Sequence, residues 1–154
     1  MTTDQETAKK CEICNQVHPN CIVCSPASAK GLHLKFEATS DNGVKALFEC
    51  DKTYEGYTGI LHGGVISLIL DGAMGNCMFR RGQTAVTVEM TTRFKYPVEI
   101  NKTAMVTARI TRSAHPLYLL EAEIKQEGQV KATAKGKFYD QPELADELAR
   151  INEI

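Results

Sequence analysis

His62-Gly63-Gly64-Val65-Ile66-Ser67-Leu68-Ile69-Leu70-Asp71-Gly72-Ala73-Met74-Gly75 decides the fold, because Asp71 is the only formal charge between Gly63 and Phe79. A segment apolar on nearly all sides reads as a helix buried by the rest of a domain. An ionised carboxylate in such a helix is costly unless it is paired or put to use. The run is too short and too rich in glycine to span a membrane. It reads as a central helix that starts near His62 or Gly63 and ends near Arg80-Arg81, where two cations suit the negative end of the helix dipole.

The chain on either side reads as a wrapping for that helix. Downstream, residues 84–96, 103–112, 117–126 and 130–139 are strand-like. They are separated by turn chemistry at Pro97 to Lys102, at Ser113-Ala114-His115-Pro116 and at Glu127-Gly128-Gln129, short enough to join antiparallel neighbours. Upstream, residues 31–38 alternate apolar and polar and predict a half-buried strand with His33 facing solvent. Asp41-Asn42-Gly43 predicts a hairpin, and residues 44–50 the returning strand. Residues 51–61 read as a loop rich in Gly, Tyr and Thr. Residues 142–154 carry Leu144, Leu148 and Ile151 at helical spacing and predict a short amphipathic helix that docks on the outside or frays. Two strands, a long buried helix and four more strands argue an α+β domain, one curved antiparallel sheet around one helix. The expected organisation is a Cys-rich segment over 1–30, the domain over 31–140 and a helical tail over 141–154.

The 154 residues permit one domain with a sizeable core, and a net charge of −1 with no basic block gives no reason to expect nucleic acid as a partner. Residues 1–10 are polar and lack the apolar stretch of a signal peptide, so a cytoplasmic protein with reduced thiols, not associated with a membrane, is expected. Four of its six cysteines form two close pairs, Cys11/Cys14 and Cys21/Cys24. Thiolates at this spacing can grip a structural zinc ion, with His18 as a substitute ligand, or the four can be metal-free cysteines of turns and core. A redox role fits less well, since neither pair lies between a strand and a helix. Cys50 and Cys77 read as core thiols.

His62-Gly63-Gly64, the acid at Asp71, Thr87 and a strand running into Pro97 together resemble the hot-dog fold acyl-coenzyme A thioesterases of the phenylacetate-pathway and 4-hydroxybenzoyl type. The resemblance covers residues 32–139, and the Cys-Ile-Val-Cys lead-in before Gly31-Leu32 is similar to that of some members. It implies a hydrolase that cleaves an acyl- or aryl-CoA to a free acid and CoA, with no metal or cofactor in the reaction. Gly63 N–H is then the main donor to the carbonyl oxygen, and Thr87 orients water or the carboxylate. The residue types suit that chemistry. Gly63 and Gly64 at a helix start offer unpaired N–H groups at the positive end of the dipole, and Asp71 can act as base or nucleophile. His62 reads as orienting the helix start in preference to acting as a base. Each has a plainer reading: close packing for the glycines, a structural network for Asp71, an ordinary strand residue for Thr87. Ser67, one turn before Asp71, has no base at a matching spacing.

Gly63 and Asp71 are eight residues apart, roughly 12 Å along one helix, so a single carbonyl carbon cannot meet both in one chain. If both take part, a second subunit must supply the acid, through antiparallel helices related by a two-fold axis. The resemblance implies the same homodimer or pair of dimers. Many members carry Asn or Gln about six residues before the His, where this chain has Gly56, so the oxyanion site would rest on backbone alone. Tyr54 and Tyr57 flank that position and either line an acyl tunnel or pack the loop. Gly64 is a candidate substrate-binding residue through its backbone N–H, and coenzyme A would bring phosphates, for which Arg80, Arg81, Arg93 and Lys95 are the candidate binding residues, with Arg93 and Lys95 expected on the same strand face as Thr87. Two other functions remain open: an acyl-CoA-binding sensor or regulator without catalysis, and a dehydratase or hydratase on the same fold.

Overall fold

The computed structural model describes residues 17–152; the polar stretch 1–10 and the Cys11/Cys14 pair lie outside the described residues. The elements run β1 (Glu37–Ala38), β2 (Gly43–Glu49), α1 (Gly63–Arg80), β3 (Ala85–Phe94), β4 (Thr103–Ala114), β5 (Leu117–Gln126), β6 (Gln129–Asp140) and α2 (Pro142–Asn152), with one 3-10 turn at Lys52–Tyr54. Among the described residues the strands form one antiparallel sheet in the order β1-β2-β4-β5-β6-β3. Because α1 separates β2 from β3, the chain crosses the sheet between them and leaves β3 on the edge opposite β1. Register shifts in the β3–β6, β4–β5 and β5–β6 pairings add twist and help the sheet curve around the helix.

The central helix starts and stops for local reasons. His62 is its N-cap, and at the other end Gly82, at φ +71, lets its own N–H reach Phe79 O (2.9 Å) and Gln83 N–H reach Met78 O (3.1 Å). Between them Ile66, Ile69, Leu70, Ala73, Met74, Cys77 and Met78 are buried. The sheet meets these large side chains with small ones: Ala104, Ala108, Ala122, Ala132 and Ala134 are buried on the facing strands. Bulk on the helix and alanine on the strands let the two layers approach closely, as dense packing requires. No described helix is long and apolar enough to cross a membrane.

The expected strand over 31–38 is mostly absent. Only Glu37–Ala38 pairs with β2. Upstream, Leu32 N–H bonds Ile22 O (2.7 Å), Leu34 N–H bonds Val23 O (2.8 Å), and His33 turns out of the extended run at φ +53. The alternation is real, with Leu34 buried and His33 exposed, but it reports one-sided burial and not a ladder partner. This segment and residues 21–25 instead make a strap across α1. A Cβ at Gly72 would lie 2.6 Å from Val23 Cγ1, so the glycine is what allows the strap to touch the helix. Gly72→Ala is therefore expected to destabilise the fold by about 1–3 kcal/mol by overpacking, read as a lowered thermal midpoint. The C-terminal helix forms as expected, with Ile151 63% exposed; the Leu148 side chain lies outside the described residues.

Candidate active site

The loop before α1 is tied down at both ends. Leu61 N–H bonds Val98 O (2.8 Å) and His62 N–H bonds Tyr54 O (2.9 Å), which sets where the helix begins. His62 Nδ1 accepts from Gly64 N–H (2.8 Å), and the His62 carbonyl accepts from Val65 (3.0 Å) and Ile66 (3.1 Å). The acceptor role of Nδ1 leaves the proton of a neutral His62 on Nε2. One donor of the first turn is left over: Gly63 N–H has no hydrogen bond among the described residues. It sits at the wall of a cleft of about 800 Å³ bordered by Tyr57, Ile60, His62, Ile66 and Phe94. The Phe94 ring stands 3.5 Å from where a Gly63 Cβ would be, and Tyr57 is 85% exposed at the rim. An unused donor at the positive end of a helix dipole is suited to a carbonyl oxygen gaining negative charge.

Asp71 lies two turns along α1 on a half-exposed strip that includes Gly64, Ser67, Leu68 and Gly75. Thr87 Oγ1 on β3 donates to its Oδ1 at 2.6 Å, and Oδ2 has no hydrogen bond among the described residues. No cation pairs with Asp71 among the described residues, so a neutral hydroxyl holds the carboxylate and its charge is not neutralised. The fold thus brings Asp71 to Thr87, and Gly63 to His62 and Phe94. It does not bring the two groups together within one chain.

Residues 58–133 match the model of the thioesterase superfamily. The crystal structure of a thioesterase superfamily protein is similar at 25% identity and TM-score 0.75, over 82% of this chain and 67% of that one. The family match and this structure support a hot-dog fold thioesterase family for the chain. Its fold is the hot-dog fold, a curved antiparallel sheet around one main helix. The PaaI protein from the phenylacetic acid degradation operon of E. coli matches at 18% identity and TM-score 0.73, over 87% of this chain and 94% of that one. A hypothetical thioesterase protein of Streptococcus pneumoniae TIGR4, solved with coenzyme A, matches at 14% identity and TM-score 0.67, over 71% of this chain and 86% of that one. Two further structures of the pneumococcal protein carry alanine in place of an aspartate and of a threonine 16 residues apart. No curated protein matches the chain.

The cations do not lie where the strand period put them. Thr87 pairs with buried Phe138 and faces α1, but the register shifts between Thr87 and Glu89, so that Glu89, Thr91 and Arg93 pair with Lys137, Lys135 and Thr133 on the outer face. The extra residue, Val88, inverts the alternation. Arg93 is therefore on the opposite face from Thr87, and Phe94 takes the inner position over Gly63. Phe94 was not legible as a site residue for this reason: only the bulge turns it inward. Lys95, just past the strand, borders both the Gly63 cleft and the outer face. Arg80 and Arg81 lie at the far end of α1, about 26 Å from Gly63 by helical rise, with the Arg81 guanidinium 5.7 Å from the centre of the Tyr118 ring.

The two tyrosines separate. Tyr57 borders the cleft, whereas Tyr54 is half-buried with its hydroxyl donating to Gly31 O (3.3 Å) and packs the loop. Gly56 backs onto His62: a Cβ there would lie 3.1 Å from His62 Cα, so the loop passes too near for a larger residue without adjustment. Cys50 and Cys77 are core thiols, and burial pushes the Cys50 thiol up to about 11. Cys21 behaves oppositely. Hydrogen bonding from the Cys24 side chain, then from His18 and the backbone, outweighs partial burial and brings it down to about 3. His18, Cys21 and Cys24 form a cluster that could hold a metal ion.

Proposed function

We propose that the protein hydrolyses acyl-CoA thioesters to free acid and CoA, acting as a homodimer in which each site is shared between subunits. The observation that carries the reading is the unused Gly63 N–H opening on a cleft, in a chain whose only candidate acid on the same helix is displaced from it by about 12 Å. The surface around Asp71 suits a second copy. β3 pairs on one side only among the described residues, Val88 and Phe94 along it are 55% and 57% exposed, and a Cβ at Gly75 would meet nothing within 4 Å. A two-fold partner docked there would continue the sheet edge to edge and lay the α1 helices antiparallel, placing Gly63 opposite Asp71 and Thr87 of the partner protomer. The pneumococcal protein supports the reading in two ways: it is solved with coenzyme A, and its altered aspartate and threonine have the spacing of Asp71 and Thr87.

In the reaction, Gly63 N–H hydrogen-bonds the thioester carbonyl oxygen as charge builds there. The Asp71 carboxylate, fixed through Oδ1 by Thr87, uses Oδ2 either to take a proton from water as its oxygen bonds the carbonyl carbon, or to attack that carbon itself. The C–S bond then breaks and CoA leaves as a thiolate that is protonated; where Asp71 itself attacked, water then hydrolyses the acyl–Asp71 anhydride, releasing the acid and restoring the carboxylate. Lys95, Arg93, Arg80 and Arg81 are the residues proposed for the CoA phosphates, Gly64 and His62 shape the helix start, and no cofactor is needed. The proposed setting is the cytoplasm, and the proposed catalytic unit is residues 31–140, with the Cys-rich segment and the C-terminal helix as additions.

Thiol release from short, long and aromatic acyl-CoAs tests the proposal directly. Turnover of at least one class, by a species sedimenting as a dimer or a pair of dimers, is the expected result. Tight binding with no release from any member of the panel would point to a binding protein, and water addition to an enoyl-CoA to a hydratase. Thr87→Val should lower kcat by about 10- to 100-fold, the worth of a hydrogen bond of ~1.5–3 kcal/mol to a charged group, with the thermal midpoint little changed.

A further inference from the structure

We propose that His18, Cys21 and Cys24 bind a structural zinc ion as three of its four tetrahedral ligands. The three described ligand atoms all lie within 4.8 Å of one another. Cys24 Sγ and His18 Nδ1 are 3.6 Å apart. A tetrahedral ion with Zn–S about 2.3 Å and Zn–N about 2.05 Å has S···N edges of about 3.6 Å, so this pair already spans the right edge.

The frame around the cluster holds that geometry. Cys21 N–H bonds His18 O (3.2 Å), Ser25 N–H bonds Cys21 O (3.0 Å), and Ser25 Oγ bonds Pro19 O (2.6 Å), which folds 18–25 into a tight knuckle. Within it the Val23 N–H points at Cys21 Sγ (3.4 Å), the kind of donor that supports a metal thiolate. The His18 imidazole is stacked on Phe79 of α1, ring centres 4.3 Å apart at 24°, which fixes the ring with Nδ1 toward Cys24. Two thiolates and an imidazole form a soft donor set that suits zinc and disfavours calcium or magnesium. The sequence supplies further thiols at the right distance along the chain, in the order Cys11-x2-Cys14-x3-His18-x2-Cys21-x2-Cys24.

The ion would act on the fold and not on the chemistry. It would clip the strap whose Val23 bears on Gly72, the neighbour of Asp71, and whose His18 bears on Phe79. Metal analysis of full-length protein purified without chelators is the test. About one zinc per chain is expected, with cobalt(II) exchange giving a sulfur-to-cobalt charge-transfer band and the visible bands of a tetrahedral site. Cys24→Ser should lower the zinc content at least about tenfold, whereas Cys50→Ala should leave it unchanged. Wild-type protein that neither retains zinc nor gives the cobalt bands on reconstitution overturns the proposal, whatever the variants do. So does zinc undiminished in the Cys21→Ser, Cys24→Ser double variant, or a Cys21–Cys24 disulfide in protein kept from oxidants.

Discussion

Replacing Asp71 with asparagine is expected to lower kcat for acyl-CoA hydrolysis by about 10²- to 10⁴-fold, the range for losing a positioned base. Coenzyme A binding should be nearly untouched. The substitution keeps the shape of the side chain, and the amide oxygen can still accept the Thr87 Oγ1 hydrogen bond that now reaches Oδ1 at 2.6 Å. Asp71 forms no ion pair among the described residues, so removing its charge strands no buried cation, and the thermal midpoint should stay close to that of the wild type. What the amide lacks is the ability to take a proton or to attack a carbonyl. A drop in kcat at constant KM therefore isolates a transition-state role. Turnover within about threefold of wild type would remove Asp71 from the chemistry. After a single turnover in heavy-oxygen water, label found on Asp71 itself would identify a nucleophilic carboxylate, because a general base keeps its own oxygens.

The parts of this arrangement that could be read from sequence are those set by local chemistry. A run this long with one carboxylate among apolar residues favours a buried helix over a strand, and α1 begins at the expected His62-Gly63 junction because the histidine caps it. The four strands after it follow from turn residues that few other structures accommodate. Thr87 meets Asp71 because its side of the strand faces the helix. Beyond Val88 the period fails, since a bulge depends on what the strand is paired with and leaves no mark in the alternation. That single residue moved Arg93 to the outer face and brought Phe94 over Gly63. Residues 31–36 misled for a related reason: alternation records which side chains are buried, and here the strap and α1 bury them in place of a neighbouring strand.

Gly63→Pro should lower kcat/KM by about 10²- to 10³-fold, the usual cost of losing one oxyanion donor. The change is unusually clean for proline in a helix. Position 63 is the first helical residue, where the missing N–H has no intrahelical partner and proline is well tolerated. The preceding residue must be extended, and His62 already is, at φ −60, ψ 134. Since the ring also places a methylene where the carbonyl oxygen would bind, KM should rise along with the fall in kcat. Gly63→Ala serves as the control: its Cβ would stand at an ordinary 3.5 Å from Phe94 and it keeps the N–H, so its loss should be small. Combining Gly63→Pro with Asp71→Asn, each on its own chain, tests the shared site. If Gly63 of one protomer works with Asp71 of the other, a mixed dimer of the two inactive chains has one site with both lesions and one with neither. Random exchange of equal amounts should then restore about one-quarter of wild-type activity. A site complete within each chain would restore none, because every chain in the mixture carries a lesion of its own.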